Sequence, residues 1–201
     1  MKISESQLES CQSMTGASYD DKDNDFETIL DGTSLHGWKM CGQGRFVLGN
    51  KMIISNGGMG LLWYTKKKFM NFILTVDWKT SEREDNSGVF VRFADPDNDQ
   101  WIAINTGYEI QIYDAEPLDG NATHRTGAVY NFAPPSIFAS KEPGEWNTFE
   151  IHAIDQDYVV ILNNKRVTEF TGNRQLEGYI GLQNHDAKSR VCFRKIAIKK
   201  L

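Results

Sequence analysis

The sequence predicts an all-β fold, a two-sheet antiparallel sandwich of jelly-roll type. Three observations predict it. From Phe26 onward the chain breaks into short segments in which apolar and polar residues alternate with a period of two. Gly, Asn and Asp punctuate these segments at regular spacing. No stretch after Phe26 sustains a helical period across three turns.

The first predicted strands are Phe26 to Leu30, Arg45 to Leu48, Lys51 to Ser55 and Gly60 to Tyr64. Gly49-Asn50 between two of them reads as a tight hairpin turn, because Gly and Asn tolerate positive φ. Phe72 to Thr80 places Phe72, Leu74, Val76 and Trp78 on one face and Thr75, Asp77 and Lys79 on the other. Gly88 to Ala94 sets Val89, Val91 and Phe93 against Phe90 and Arg92. Gly107 to Asp114 sets Ile110 and Ile112 against Glu109, Gln111 and Tyr113. Thr148 to Ile154, Tyr158 to Leu162 and Arg166 to Phe170 follow, with a second hairpin turn at Asn163-Asn164. Gly178 to His185 opposes Ile180 and Leu182 to Tyr179, Gln183 and His185, and Val191 to Lys199 closes the fold. The predicted core between the sheets therefore contains Val89, Val91, Ile110, Ile112, Ile180 and Leu182.

Residues 1–25 are polar and lack periodicity, so they read as a flexible or irregular arm before a single domain over residues 26–201. Met1 to Asn24 contains no apolar signal core, which predicts a cytoplasmic chain, or a periplasmic or extracellular one if an export signal has been replaced. A net charge of −5, with no basic patch interleaved with aromatics, argues against a nucleic-acid partner. No stretch approaches the ~18 apolar residues of a membrane span. Cys11, Cys41 and Cys192 are too scattered for a disulfide framework or a zinc site, and Cys192 reads as a small buried hydrophobe.

Two long loops interrupt the rhythm, Asp95 to Thr106 and Ala115 to Glu145. They flank the strand carrying Glu109 and Gln111, and long loops on a rigid sandwich are where binding residues gather. They are predicted to rim a cleft over a floor of hydrogen-bonding side chains that suits a polyol.

Several motifs in order resemble the 3-keto-disaccharide hydrolase family. Leu30-Asp31-Gly32-Thr33-Ser34-Leu35-His36-Gly37-Trp38 is similar to its opening motif, and Asn86-Ser87-Gly88-Val89-Phe90-Val91-Arg92 to one of its strands. Gly107 to Asp114, Thr126 to Tyr130, Pro143 to Asn147, Gly178 to His185 and Phe193 to Lys199 follow in family order. The resemblance implies a concanavalin-A-like lectin/glucanase jelly roll acting on glycosides oxidised to a ketone at C3. Relatives often carry an acidic residue where Asn184 precedes His185.

Glucanases of this fold type use alternating carboxylates along one strand. Here that face reads Glu109, Gln111, Tyr113, with one carboxylate, so ordinary retaining hydrolysis is rejected for want of a pair. A C3 ketone acidifies the C2 proton, so one base could start a β-elimination of the C1 substituent, followed by addition of water. The candidates are His185 or Glu109 as base, Arg92 or a bound cation as enolate stabiliser, and Tyr113 or Tyr130 as proton donor. Gln111, Asp77 and Gln183 are expected to bind substrate, with Trp101 and Trp63 stacking on a sugar ring. Glu109, Gln111 and Asp77 could also hold a divalent Ca²⁺, Mg²⁺ or Mn²⁺. The alternative is a non-catalytic, lectin-like carbohydrate-binding module, because one fold hosts both functions.

Overall fold

The computed structural model describes residues 25–201, so the arm expected over residues 1–25 lies outside the described residues apart from Asp25. Alternating segments pair into two antiparallel sheets, as the sequence predicts. The larger sheet holds β1 (Glu27–Leu30), β3 (Arg45–Gly49), β4 (Met52–Asn56), β6 (Phe72–Thr80), β9 (Asn147–Ile154), β10 (Asp157–Leu162), β11 (Lys165–Thr171) and β13 (Val191–Lys200). Its order is β11-β10-β9-β6-β13-β4-β3, with β1 also paired to β13. The smaller sheet has the order β2-β5-β12-β7-β8, built from β2 (Trp38–Gly42), β5 (Gly60–Tyr64), β7 (Ser87–Phe93), β8 (Tyr108–Ile112) and β12 (Tyr179–Asn184).

The core lies between the sheets. Val89, Val91, Ile110, Ile112, Ile180 and Leu182 from the smaller sheet meet Phe72, Leu74, Val76, Phe149, Ile151 and Ile196 from the larger, all fully buried. Burying each such side chain contributes about 1.5–3 kcal/mol. The Asn163-Asn164 turn forms as predicted, with both residues at positive φ. The first hairpin turns one residue later than expected, at Asn50-Lys51 (φ 50° and 56°), because Gly49 still pairs with Met52. Cys192 is fully buried, as a small apolar residue of the core.

Three local features escaped the periodicity. Strand β2 does not alternate in hydrophobicity: Trp38 and Met40 face the core while Cys41 joins an apolar cluster on the outer face. A six-residue helix, α1 (Trp101–Thr106), sits inside the first long loop, too short to register a helical period. It lays Ala103 and Ile104 over Leu61, Trp63, Phe90 and Phe93, covering part of the outer face of the smaller sheet.

The third feature is a bulge in β7. Ile180 pairs with Val91 and Tyr179 with Phe93, so Arg92 is skipped in the ladder and takes φ 53°. One extra residue inverts the alternation beyond it. Phe93 therefore joins Phe90 on the outer face, and Arg92 turns inward, fully buried.

Candidate functional site

A cleft of about 580 Å³ lies over the exposed part of the outer face of the smaller sheet. Strand β8 supplies Glu109 and Gln111, and Tyr113 follows it on the same face. Strand β12 supplies Gln183, and His185 and Asp186 extend from its end. Trp101 and Ile104 of α1 form part of one wall, and Pro117, Leu118, Asp119, His124 and Tyr130 come from the second long loop. Both long loops thus rim the cleft.

The second loop is tied to β8 as if it were another strand. Gly127 N donates to Gln111 O at 2.9 Å, Gln111 N to Ala128 O at 3.0 Å, and Tyr130 N to Glu109 O at 2.9 Å. This pairing fixes Tyr130 next to Glu109. His124 stacks on the Tyr130 ring, centroids 4.5 Å apart at 17°. Its Nδ1 lies 3.1 Å from Asp119 Oδ2, and its Nε2 lies 2.8 Å from Asn131 Oδ1.

Glu109 is almost fully buried on the cleft floor, and its Oε1 has no hydrogen-bond partner. Burial alone pushes its carboxyl up to about 8, so at neutral pH it holds a proton. Gly88 makes room for it: a Cβ there would lie 2.1 Å from Glu109 Oε1. Gln111 Nε2 donates to Asn86 Oδ1 at 3.2 Å, while the Oε1 atoms of Gln111 and Gln183 are buried without a protein partner. The floor thus presents acceptors that a hydroxyl-rich ligand can satisfy. Burial, followed by the charges of Glu109 and Asp119, raises Tyr130, which keeps its phenolic proton.

His185 is paired with a firmly ionised carboxylate. Burial opposes ionisation of Asp186, yet hydrogen bonds from His185, from the backbone of Ser189 and Lys188, and from the Ser189 hydroxyl hold it down at about 2. The His185 Nδ1 to Asp186 Oδ2 distance is 2.9 Å. With Nδ1 turned to Asp186, Nε2 is the ring nitrogen left to meet a substrate. Asn184 itself is structural, its Nδ2 donating to Arg45 O and Asn56 O.

Glu109, Gln111, Tyr113, Tyr130, Gln183, His185 and Trp101 therefore share the cleft, and three other expected residues do not. Arg92 is carried to the opposite face by the bulge. Its guanidinium donates to the backbone carbonyls of Met70, Ala153 and Asp155, to Asn71 Oδ1 and to the Tyr158 hydroxyl. It ties the two sheets together and cannot reach a ligand on the cleft floor. Asp77 belongs to β6 in the other sheet, where it accepts from Arg194 Nε at 3.0 Å and Thr148 Oγ1 at 2.7 Å. The oxygen set of Glu109, Gln111 and Asp77 therefore cannot close on a cation. Among the described residues, no group of three or more His, Cys, Asp and Glu could hold a metal ion. Trp63 is buried beneath α1, edge-on to Tyr179 at 4.7 Å, where no sugar ring can stack.

Periodicity could not find Asp119, His124 or Asp186, since Asp119 and Asp186 lie in irregular segments and His124 in a 3-10 helix of three residues. For Asp186 a signal existed: an acidic residue directly beside a predicted cleft histidine.

A family model described as a 3-keto-alpha-glucoside-1,2-lyase-like domain matches residues 25–199. A candidate glycosyl hydrolase from Parabacteroides distasonis is similar, with 27% identity and a TM-score of 0.74, over 89% of this chain and 100% of that one. A second candidate glycosyl hydrolase from that organism aligns with a TM-score of 0.76 at 21% identity, over 92% of this chain and 98% of its own. The carbohydrate-binding module CBM66 from Bacillus subtilis shares the fold at 14% identity and a TM-score of 0.56, covering 82% of this chain and 96% of the module. No curated protein matches the chain.

Proposed function

Since the chain belongs to the 3-keto-alpha-glucoside-1,2-lyase-like domain family, a glycosyl hydrolase-like, carbohydrate-active group, we propose that it cleaves 3-keto-glycosides by elimination begun at C2. Support comes chiefly from Glu109, a carboxyl kept protonated by burial on the floor of a cleft that also holds the His185–Asp186 pair. A carboxyl held protonated in this way is a poor glucanase nucleophile but a suitable donor to an enolate.

In this mechanism His185 Nε2 removes the C2 proton. The C2–H electron pair moves into a C2–C3 double bond, and charge collects on the C3 oxygen, where the Glu109 hydroxyl donates a hydrogen bond. As the C3 carbonyl re-forms, the pair shifts to C1–C2 and the C1–O bond breaks. Tyr130, or Tyr113 from the same face, gives its proton to the departing oxygen. The phenoxide and the His185 imidazolium then exchange protons with solvent, which restores the starting state. Addition of water across the resulting double bond gives the free 3-keto sugar. Arg92 and a cation held by Asp77 have no part in it.

The experiment is to offer the protein a 3-keto-glucoside and the matching unoxidised glucoside, with and without added divalent metal. Release of the aglycone from the oxidised compound alone is expected. Equal cleavage of both would reopen the glucanase reading, and binding of both without cleavage would favour the lectin-like one.

A further inference from the structure

The cleft is divided by chemistry. Its floor is polar, but its outer walls are apolar: Met59, Trp101 and Ile104 on one side, Pro117 and Leu118 from the second long loop. Trp101 is half exposed and Leu118 fully exposed. A recess of about 20 Å³ shares Met59, Trp101, Ile104 and Gln183 with the cleft and adds Gly60, Phe90 and Gln100. Of the acidic groups that line the cleft, Asp119 is engaged by His124 and Asp186 by His185 and Ser189, and Glu84 is the third beside Glu109. No Lys or Arg is among the described residues lining the cleft.

We propose that these outer walls form an aglycone subsite for an uncharged aromatic group. This deepens the function proposed above and rests on it for the identity of the glycone. With the sugar hydroxyls on the acceptors of the floor, the C1 substituent lies between Trp101 and Leu118. An aromatic ring gains contact area there from both walls, and stacking on an indole adds to its burial. A second sugar would gain less than an aromatic ring from the apolar surface of Met59, Trp101, Ile104, Pro117 and Leu118. An anionic aglycone would meet Glu84, Asp119 and Asp186 with no cationic side chain to offset them.

The test compares benzyl and methyl 3-keto-glucosides, whose leaving oxygens are both alkoxides, so that a difference reports on binding. The benzyl compound is expected to show a KM about tenfold lower, with similar kcat. Trp101→Ala and Leu118→Ser should each lower the preference for benzyl over methyl, and a 4-carboxybenzyl aglycone should lose it in the wild type. Equal KM values for benzyl and methyl would overturn the subsite. So would variants that weaken both compounds alike, which would place Trp101 on the glycone. If neither compound is cleaved, calorimetry with the unoxidised benzyl and methyl glucosides reads the same preference. Tighter benzyl binding that depends on Trp101 sustains the subsite although the reaction fails, and equal affinities overturn it.

Discussion

His185→Ala is expected to lower kcat on a 3-keto-glucoside by about 10²–10⁴-fold, the range seen when a general base is lost. KM should change little, because the glycone is held by the floor residues. Stability should be nearly unaffected, since the His185 side chain is 39% exposed and its partner Asp186 keeps its backbone donors from Ser189 and Lys188. Asp186→Asn should cost less, because it loosens the orientation of the ring without removing the base. The pH profile separates these roles from that of Glu109. Glu109 acts in its protonated form, so wild-type activity should fall as pH rises through about 8, where its carboxyl ionises. Glu109→Gln cannot ionise. It should work more slowly at every pH and lack that alkaline limb. An unchanged limb in Glu109→Gln would assign the ionisation to another group.

Arg92→Met is expected to destabilise the fold by about 3–5 kcal/mol, the cost of leaving several buried acceptors without a donor. It leaves the carbonyls of Met70, Ala153 and Asp155 without the donor that bridges them across the sandwich. Stable replacements would need to supply several donors at once, so Arg92→Lys should recover only part of the loss. For a domain of this size the thermal midpoint should fall by roughly 10 °C. Activity per folded molecule should be retained. A variant that keeps its midpoint and loses turnover would instead return Arg92 to the chemistry.

The contrast between Arg92 and Glu109 shows what a period of two can carry. Ile110 and Ile112 must be buried for the sandwich to have a core, and that requirement places Glu109, Gln111 and Tyr113 on the opposite face. The same logic fails one strand away, because one inserted residue at φ 53° reverses every side chain after it, and Val89 to Phe93 alone give no hint of the bulge. Asp77 alternates correctly, but alternation does not say which sheet a strand joins, and β6 lies in the sheet away from the cleft. Trp63 also faces outward as its strand requires. What hides it is α1, a helix of six residues within a loop. Asp119 sits in a turn and His124 at the end of a three-residue 3-10 helix, too short to register a period. Their place in the cleft follows from the pairing of Gly127 and Tyr130 with β8, a long-range contact that local pattern does not encode.

The fate of the hydrogen at C2 tests the central claim most directly. A 3-keto-glucoside deuterated at C2 would be turned over and its sugar product analysed by mass, with a control for uncatalysed exchange of the product. Elimination predicts slower turnover than with the protiated substrate, and a product from which the label has been lost to solvent. A product that keeps its deuterium, formed at the same rate as from the protiated compound, would contradict it.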